Sequence, residues 1–401
     1  MSNFQWLEER PRFSEIRYNL FRVYTLLTRF VPQWQELEPI IITGSNGKGT
    51  AAVTCAEILR QGGFLTGLCT SPHLMRVGER INLNQGSIDD GTLDRLLGEI
   101  REGLPPETHG SFLYSEVLLT ASLMWFRENQ AQFIVLEAGL GGRLDSVNLF
   151  RKPLATAITS VSMEHAAILG PDIPAIAREK AGIVKKCRPM VTGSTDLALS
   201  IIETRAERFQ APFLRYNQDF GWQGDTLFLG PRSLVVAQLQ ETSAGRINRA
   251  IGAFLALLAV PELTDSSIRE GVLKARLPGR FQVISQSPLV IIDVAHNYEG
   301  MANLVSALEE NYPTARKAFV LGIFSDKPAE EMVALATQSG QVFYAPPNNP
   351  RSFIPKNDLG KARLYPELSL AYQAAVDSGA EVICISGSFA TVSELFSQLS
   401  G

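Results

Sequence analysis

The chain has no large excess of charge of either sign: 37 Lys and Arg stand against 41 Asp and Glu, a net charge of −4. A nucleic-acid surface needs clustered Lys and Arg, so this balance argues against such a partner. Cysteine is scarce. Cys55, Cys69, Cys187 and Cys384 are scattered, with no CxxC spacing, which favours buried thiols in a reducing cytosol over disulfides or zinc. Long apolar runs are missing too. The longest, Ala250–Val260, is too short to cross a bilayer. The first residues, Met1 to Phe13, mix Trp6 with Glu8, Glu9, Arg10 and Arg12, unlike a signal peptide. Internal repeats, low-complexity segments and coiled-coil heptads are absent as well. A monomeric cytoplasmic protein with no membrane partner is the expectation.

What is present is an ordinary globular composition, 45% hydrophobic and 19% charged. A length of 401 residues exceeds what one core usually supports, so two domains are expected. Short β-branched runs alternate with helical stretches, the pattern of a parallel sheet covered on both faces. Strands are expected at Ile40–Thr43, Phe64–Cys69, Phe133–Glu137, Ala155–Thr159 and Pro189–Thr192, with helices at Leu93–Glu102 and Glu116–Glu128 between them. Near Phe213–Leu239 the texture turns to short alternating runs with turns at Gly224-Asp225 and Gly230-Pro231, a small antiparallel patch. A helix at Asn248–Val260 follows. Leu277-Pro278-Gly279-Arg280 then breaks the pattern. A second α/β series begins there, with strands at Leu289–Asp293, Ala318–Ile323, Val342–Ala345 and Glu381–Ser386. The expected domains are 1–274 and 275–401.

The sharpest local signal is the apolar run Pro39–Thr43 followed by Gly44-Ser45-Asn46-Gly47-Lys48-Gly49-Thr50 and a helical stretch, Ala51–Arg60. Glycines let backbone N–H groups turn toward phosphate oxygens. The helix start adds a positive dipole end, Lys48 a mobile charge, and Thr50 a hydroxyl for magnesium. The spacing departs from GxxxxGK[ST], because Gly49 separates Lys48 from Thr50. With strand, lysine, hydroxyl and helix in order, a nucleoside triphosphate site is a better reading than a plain glycine turn.

Other chemistry collects at the ends of the following strands. The second ends in Thr70-Ser71-Pro72-His73-Leu74, with Arg76, Glu79 and Arg80 beyond. The third ends in Glu137–Asp145 with Asn148, the fourth near Glu164-His165, and Arg178–Ile183 opens the next unit. A carboxylate leaving the apolar run Phe133–Leu136 is costly if buried alone. A metal ion would resolve that cost, with Glu137, His165, Thr50 and Ser71 as hard-cation ligands around a nucleotide phosphate. Of four histidines, three fall in strand-end motifs: His73, His165 and His296. For His73, positioning a loop and touching a ligand both remain open.

In these residues the chain resembles the folylpolyglutamate synthase/dihydrofolate synthase family of the Mur ligase superfamily. The resemblance rests on Gly44–Thr50, Ser71–Leu74 with Glu79-Arg80-Ile81, Glu137–Asp145 with Asn148, His165, Arg178–Ile183, Leu277–Phe281, Asp293–Asn297, Asp326-Lys327 and Gly387-Ser388-Phe389 with Thr391-Val392. It runs in family order over nearly the whole chain. Peptidoglycan Mur ligases carry a nucleotide-sugar domain ahead of the phosphate loop. Only 43 residues precede Gly44, which favours the folate branch.

The resemblance implies a P-loop-containing central α/β domain with a doubly wound parallel sheet and a smaller Rossmann-like C-terminal α/β domain. It implies an ATP- and magnesium-dependent ligase that joins L-glutamate to dihydropteroate or a folate through an acyl phosphate. Carried over, Gly44, Ser45, Asn46, Gly47, Lys48, Gly49 and Thr50 hold ATP with Asn248, Arg280, Asp293 and His296, the last three engaging it from the second domain. Thr50, Ser71 and Glu137 match one magnesium site, and Glu137 and His165 a second. Lys180 matches a lysine that carbon dioxide carbamylates into a metal-binding acid. Lys48, Glu137, His165 and Lys180 are thus the catalytic set. His73, Arg76, Arg80, Glu116 and Glu164 fall to the acceptor.

Two stretches depart from the family. The aromatic pair that flanks a glutamate near the pterin becomes Ser115-Glu116-Val117, and the motif at Glu164-His165-Ala166-Ala167 lacks its following acid. Tyr298 stands where the family has proline. Stacking is the usual hold on a flat ring, so a paralogue acting on a non-folate carboxylate is the alternative. A non-catalytic ATP-binding protein is a further one, which the joint presence of Glu137, His165 and Lys180 opposes.

Overall fold

The computed structural model describes residues 2–12, 19–84, 86–237, 239, 241–356 and 358–399. The chain divides into two compact units, one of Met1–Leu239 and Arg246–Ala275, the other of Gln240–Gly245 and Arg276–Gly401.

In the first unit the strands are β1 (Ile40–Thr43), β2 (Thr66–Cys69), β3 (Ile81–Leu83), β4 (Gly86–Ser87), β5 (Phe133–Glu137), β6 (Ala155–Ile158), β7 (Met190–Thr192) and β8 (Phe213–Arg215), then β9 (Phe220–Gln223), β10 (Thr226–Leu229) and β11 (Arg232–Val235). The main sheet has the order β4-β3-β2-β5-β1-β6-β7-β8. It is parallel from β2 to β8, and β3 and β4 add an antiparallel edge that the strand pattern did not reveal. The apolar run of β1 explains its central place. Successive residues face opposite sides: Ile41 packs with Leu136 and Val117 on one face, and Ile40 and Ile42 pack with Ala51, Ile58 and Val135 on the other. Both faces are therefore covered, as a doubly wound sheet requires. The expected antiparallel patch needs a correction at its start. Phe213–Arg215 extends the main sheet in parallel beside β7, because it returns from the helix Asp196–Arg208 as a crossover strand. Antiparallel pairing begins only at β9.

The second unit holds β12 (Gln282–Gln286), β13 (Leu289–Ile292), β14 (Lys317–Leu321), β15 (Gln341–Tyr344), β16 (Arg363–Leu364) and β17 (Val382–Ser386). Their order is β12-β13-β17-β14-β15-β16, parallel except for the antiparallel edge strand β12. Among the described residues no helix is long and apolar enough to cross a membrane.

Candidate functional site

Parallel strands deliver their ligand-facing loops at the carboxyl ends, at the point where strand order reverses. β1 sits there, between β5 and β6. Its loop is fastened by hydrogen bonds to the segment that follows β6. Ser45 N donates to Ser160 O at 2.8 Å, Ser162 N to Ser45 Oγ at 2.9 Å, and Thr159 Oγ1 to Asn46 O at 2.6 Å. Gly47 adopts φ 82° directly ahead of the helix Lys48–Gln61. A Cβ there would stand 2.0 Å from Asn248 Nδ2, so glycine is required by both backbone and neighbour. Lys48 folds over the loop, donating from Nζ to Gly44 O at 2.8 Å and Ser45 O at 3.1 Å. Thr50 lies in the first turn of the same helix.

Glu137 ends β5 and is 7% exposed. Its Oε2 accepts Ser71 N at 2.9 Å, which places the Ser71 backbone beside the carboxylate. Other members of that motif build the loop. Buried Asp145 accepts Leu140 N at 2.9 Å and Val147 N at 3.1 Å, and burial pushes its carboxyl up. Asn148 Nδ2 donates to Arg143 O and Gly182 O.

Lys180, on the helix Ile173–Ala181, has a side chain only 1% exposed and meets Glu164 Oε1 at 2.6 Å. Burial pulls its ammonium down to about 8, against the Glu164 charge and helped by Lys48. In Glu164 burial works upward, but the charges of Lys180 and Lys48 hold the carboxyl below its usual range. His165 follows in the left-handed region, φ 45°, half-buried, at the start of the short helix Ala166–Leu169. Lys48, Lys180, Glu164 and Asp145 thus lie within mutual electrostatic reach. Among the described residues no three His, Cys, Asp or Glu side chains gather as a metal cage. A buried carboxylate beside hydroxyl-bearing loops instead suits a hard divalent ion that keeps waters and shares phosphate oxygens.

The acceptor candidates separate into distinct places. His73 Nδ1 accepts Arg80 Nε at 2.8 Å, and burial, then the Arg80 charge, lowers the imidazole to about 4, so it is neutral. Arg80 and Arg12 both lie over the Tyr114 ring, at 5.2 Å and 3.6 Å. Glu79 takes the N–H groups of Leu74 and Arg76 at 2.8 Å each and so shapes the loop. Arg76 is exposed, 3.6 Å from Asp90. Glu116 is 2% exposed and accepts from Arg22 Nε at 3.2 Å and Leu113 N at 2.8 Å. Glu164 is tied to Lys180 rather than grouped with them. The pairing with Arg22 escaped the sequence reading because 94 positions separate the partners. An arginine on the inner face of an amphipathic helix was its one trace.

This pair carries a stability prediction. Removing one partner of a buried ion pair leaves a charge uncompensated and costs roughly 3–5 kcal/mol. Arg22→Ala is expected to lose that much in urea unfolding, and Arg22→Met with Glu116→Gln to recover most of it. An R22A midpoint equal to that of the unaltered chain would refute a structural role.

In the second unit β13 runs into Asp293, whose carboxylate accepts Phe281 N and Ala295 N at 2.8 Å each. Burial pushes it up and Arg280 opposes this. His296 Nδ1 lies 2.9 Å from Val294 O. Its ring and the Arg280 guanidinium flank Phe389, at 5.9 Å and 5.7 Å. Arg280, Asp293 and His296 are therefore gathered at one end of the second sheet, with Asp293 organising the turn.

Comparison with known proteins gives the same picture. A profile described as "Mur ligase middle domain" matches residues 42–283, and "Mur ligase, glutamate ligase domain" matches residues 279–389. The dihydrofolate synthase/folylpolyglutamate synthase of Escherichia coli is 30% identical over 88% of this chain and 85% of its own. The Escherichia coli FolC structure in complex with DHPP and ADP superposes with a TM-score of 0.90 at 26% identity, covering 100% of this chain and 98% of that one. A bifunctional folylpolyglutamate synthase/dihydrofolate synthase with Mn, AMPPNP and L-glutamate bound gives 0.86 at 28% identity, over 99% and 97%.

Proposed function

Because this chain belongs to the folylpolyglutamate synthase/dihydrofolate synthase family of Mur ligases, we propose that it joins L-glutamate to a pteroate- or folate-type carboxylate at the expense of ATP. The observation that carries this reading is the convergence of the phosphate loop, Glu137 and the Lys180–Glu164 pair on neighbouring strand ends of one sheet. A carboxylate is a poor electrophile. Attack of its oxygen on the γ-phosphate makes an acyl phosphate, and the glutamate amine then displaces phosphate. The protein's part is positioning and electrostatic neutralisation. Lys48 leaves its two loop carbonyls for phosphate oxygens, and Gly47, Lys48, Gly49 and Thr50 present the backbone N–H groups of the helix start. Thr50, Ser71, Glu137 and His165 would hold two magnesium ions, which would supply further neutralisation of phosphate charge, and a carbamylated Lys180 would add a carboxylate to the second site. The ATP-binding domain spans 1–274 and the glutamate-ligase-type domain 275–401, working as a cytoplasmic monomer. Arg280, Asp293, His296 and Asn248 serve the nucleotide. His73, Arg80 and the loop held by Glu79 serve the acceptor.

One observation favours a different carboxylate acceptor. Ser115 Oγ is buried without a hydrogen-bond partner at the start of the helix Tyr114–Glu128, a polar group suited to something other than a stacked ring. ADP release with ATP, magnesium and glutamate, run against dihydropteroate, tetrahydrofolate and no acceptor, decides between them. A product one glutamate heavier than the offered folate is the expected result. Turnover with neither folate would remove the folate reading.

A further inference from the structure

The first unit holds a second concentration of charge away from the phosphate loop. Arg151 and Lys152 precede β6, Lys185 and Lys186 precede β7, and Arg205 and Arg208 close the helix Asp196–Arg208. β6 and β7 are parallel neighbours, so their amino ends lie together, one strand length (~13 Å for four residues) from the ends that meet the phosphate loop. Among the described residues none of these six cations forms an ion pair with a carboxylate. Arg188, close by, pairs with Glu38 at 2.7 Å, and Glu203 pairs with Arg215 at 3.4 Å. Exposed Glu207 is the remaining acid of that helix end.

Two of the six are partly withdrawn from water. Lys185 Nζ donates to Asn148 O at 2.8 Å, and burial, then the charges of Arg151 and Arg205, lower it to about 8. The Arg205 guanidinium stacks on Phe209 at 4.0 Å, and its Nε is buried with no hydrogen-bond partner. Like charges gathered without a counter-charge repel, and a buried donor without an acceptor is costly. A compact dianion relieves the repulsion, which the solvent-facing nitrogens of the guanidinium can meet. Stacking also fixes the guanidinium so that its in-plane N–H groups are presented edge-on, the geometry that suits phosphate oxygens.

We propose that Arg151, Lys185 and Arg205 form a binding site for a phosphate group, separate from the nucleotide site. Lys185 holds the carbonyl of Asn148, whose side chain ties Arg143 to Gly182. The site therefore lies directly behind the loop that follows Glu137.

Calorimetric titration of the full chain with inorganic phosphate, at low ionic strength and with the nucleotide site filled by a non-hydrolysable ATP analogue and magnesium, tests this. One phosphate is expected to bind, at least tenfold more weakly in Arg205→Ala and in Arg151→Ala, and more weakly as salt rises. Arg151 is exposed, so its variant separates loss of binding from loss of fold. Lys48→Ala without nucleotide is expected to retain the phosphate. No binding with the nucleotide site filled, equal affinity in both arginine variants, or tighter binding of triglutamate than of phosphate would each overturn the proposal.

Discussion

Replacing Lys48 with alanine is expected to lower kcat/KM by about a thousandfold, roughly 4 kcal/mol of transition-state stabilisation, with little loss of stability. Among the described residues Lys48 Nζ binds only Gly44 O and Ser45 O, and the loop is separately fastened to β6 and the residues after it through Ser45, Asn46 and Thr159. The fold therefore does not rest on this ammonium. The chemistry does, because negative charge grows on the oxygens of the transferred phosphoryl group while no other lysine or arginine of the loop can follow it. Lys48→Arg is not a conservative repair. A planar fork cannot fold back over a loop closed by Gly47 and Asn248 as a flexible ammonium does. Steady-state ADP release and the unfolding midpoint, measured on both variants, check the claim. Activity within tenfold of the unaltered chain would mean that phosphate charge is met elsewhere.

That loop was legible in the sequence because its requirements are local. A strand end, three glycines, a lysine and a hydroxyl within eight positions dictate backbone shape and charge together. Glu137 was legible for a related reason, since a carboxylate closing four apolar residues has to be answered by something. Pairings between distant segments were not. Glu164 and Lys180 lie 16 positions apart across a left-handed turn at His165, and neither helical nor strand periodicity brings them together. Arg22 and Glu116 meet only because two helices pack on the same sheet face. Phe213–Arg215 shows the same limit in the fold. Its residues suit a parallel or an antiparallel edge equally, and the preceding crossover helix made the choice.

The Lys180–Glu164 pair leads to the second large effect. With its ammonium lowered to about 8 by burial, Lys180 holds more neutral amine near neutral pH than an ordinary lysine near ~10.4 does. Only the neutral amine captures carbon dioxide, forming the N–C bond and releasing a proton, so burial prepares the residue for carbamylation. The sign for stability follows from the same shift. A lysine whose folded value lies below its unfolded one binds fewer protons folded than unfolded between about 8 and 10. Its unfavourable contribution is thus full below pH 8 and shrinks as pH rises through that window. Carbamylation also reverses the local charge. The 2.6 Å pair becomes two adjacent anions, which are stable together only with a cation between them or a shared proton. On this proposal the Glu164 charge, which favours the ammonium, opposes the modification. Lys180→Ala is expected to lower kcat by a hundredfold or more and to be partly rescued by acetate, which returns a carboxylate to the space. Glu164→Gln removes the charge that holds Lys180 protonated. It is expected to shift the carbon dioxide dependence of activity to lower pH. Intact-protein mass spectra should gain one carbon dioxide at alkaline pH and lose it on acidification, in the unaltered chain but not in K180A. Full activity in carbon dioxide-free buffer, with no such mass change, would leave Lys180 a structural cation paired with Glu164.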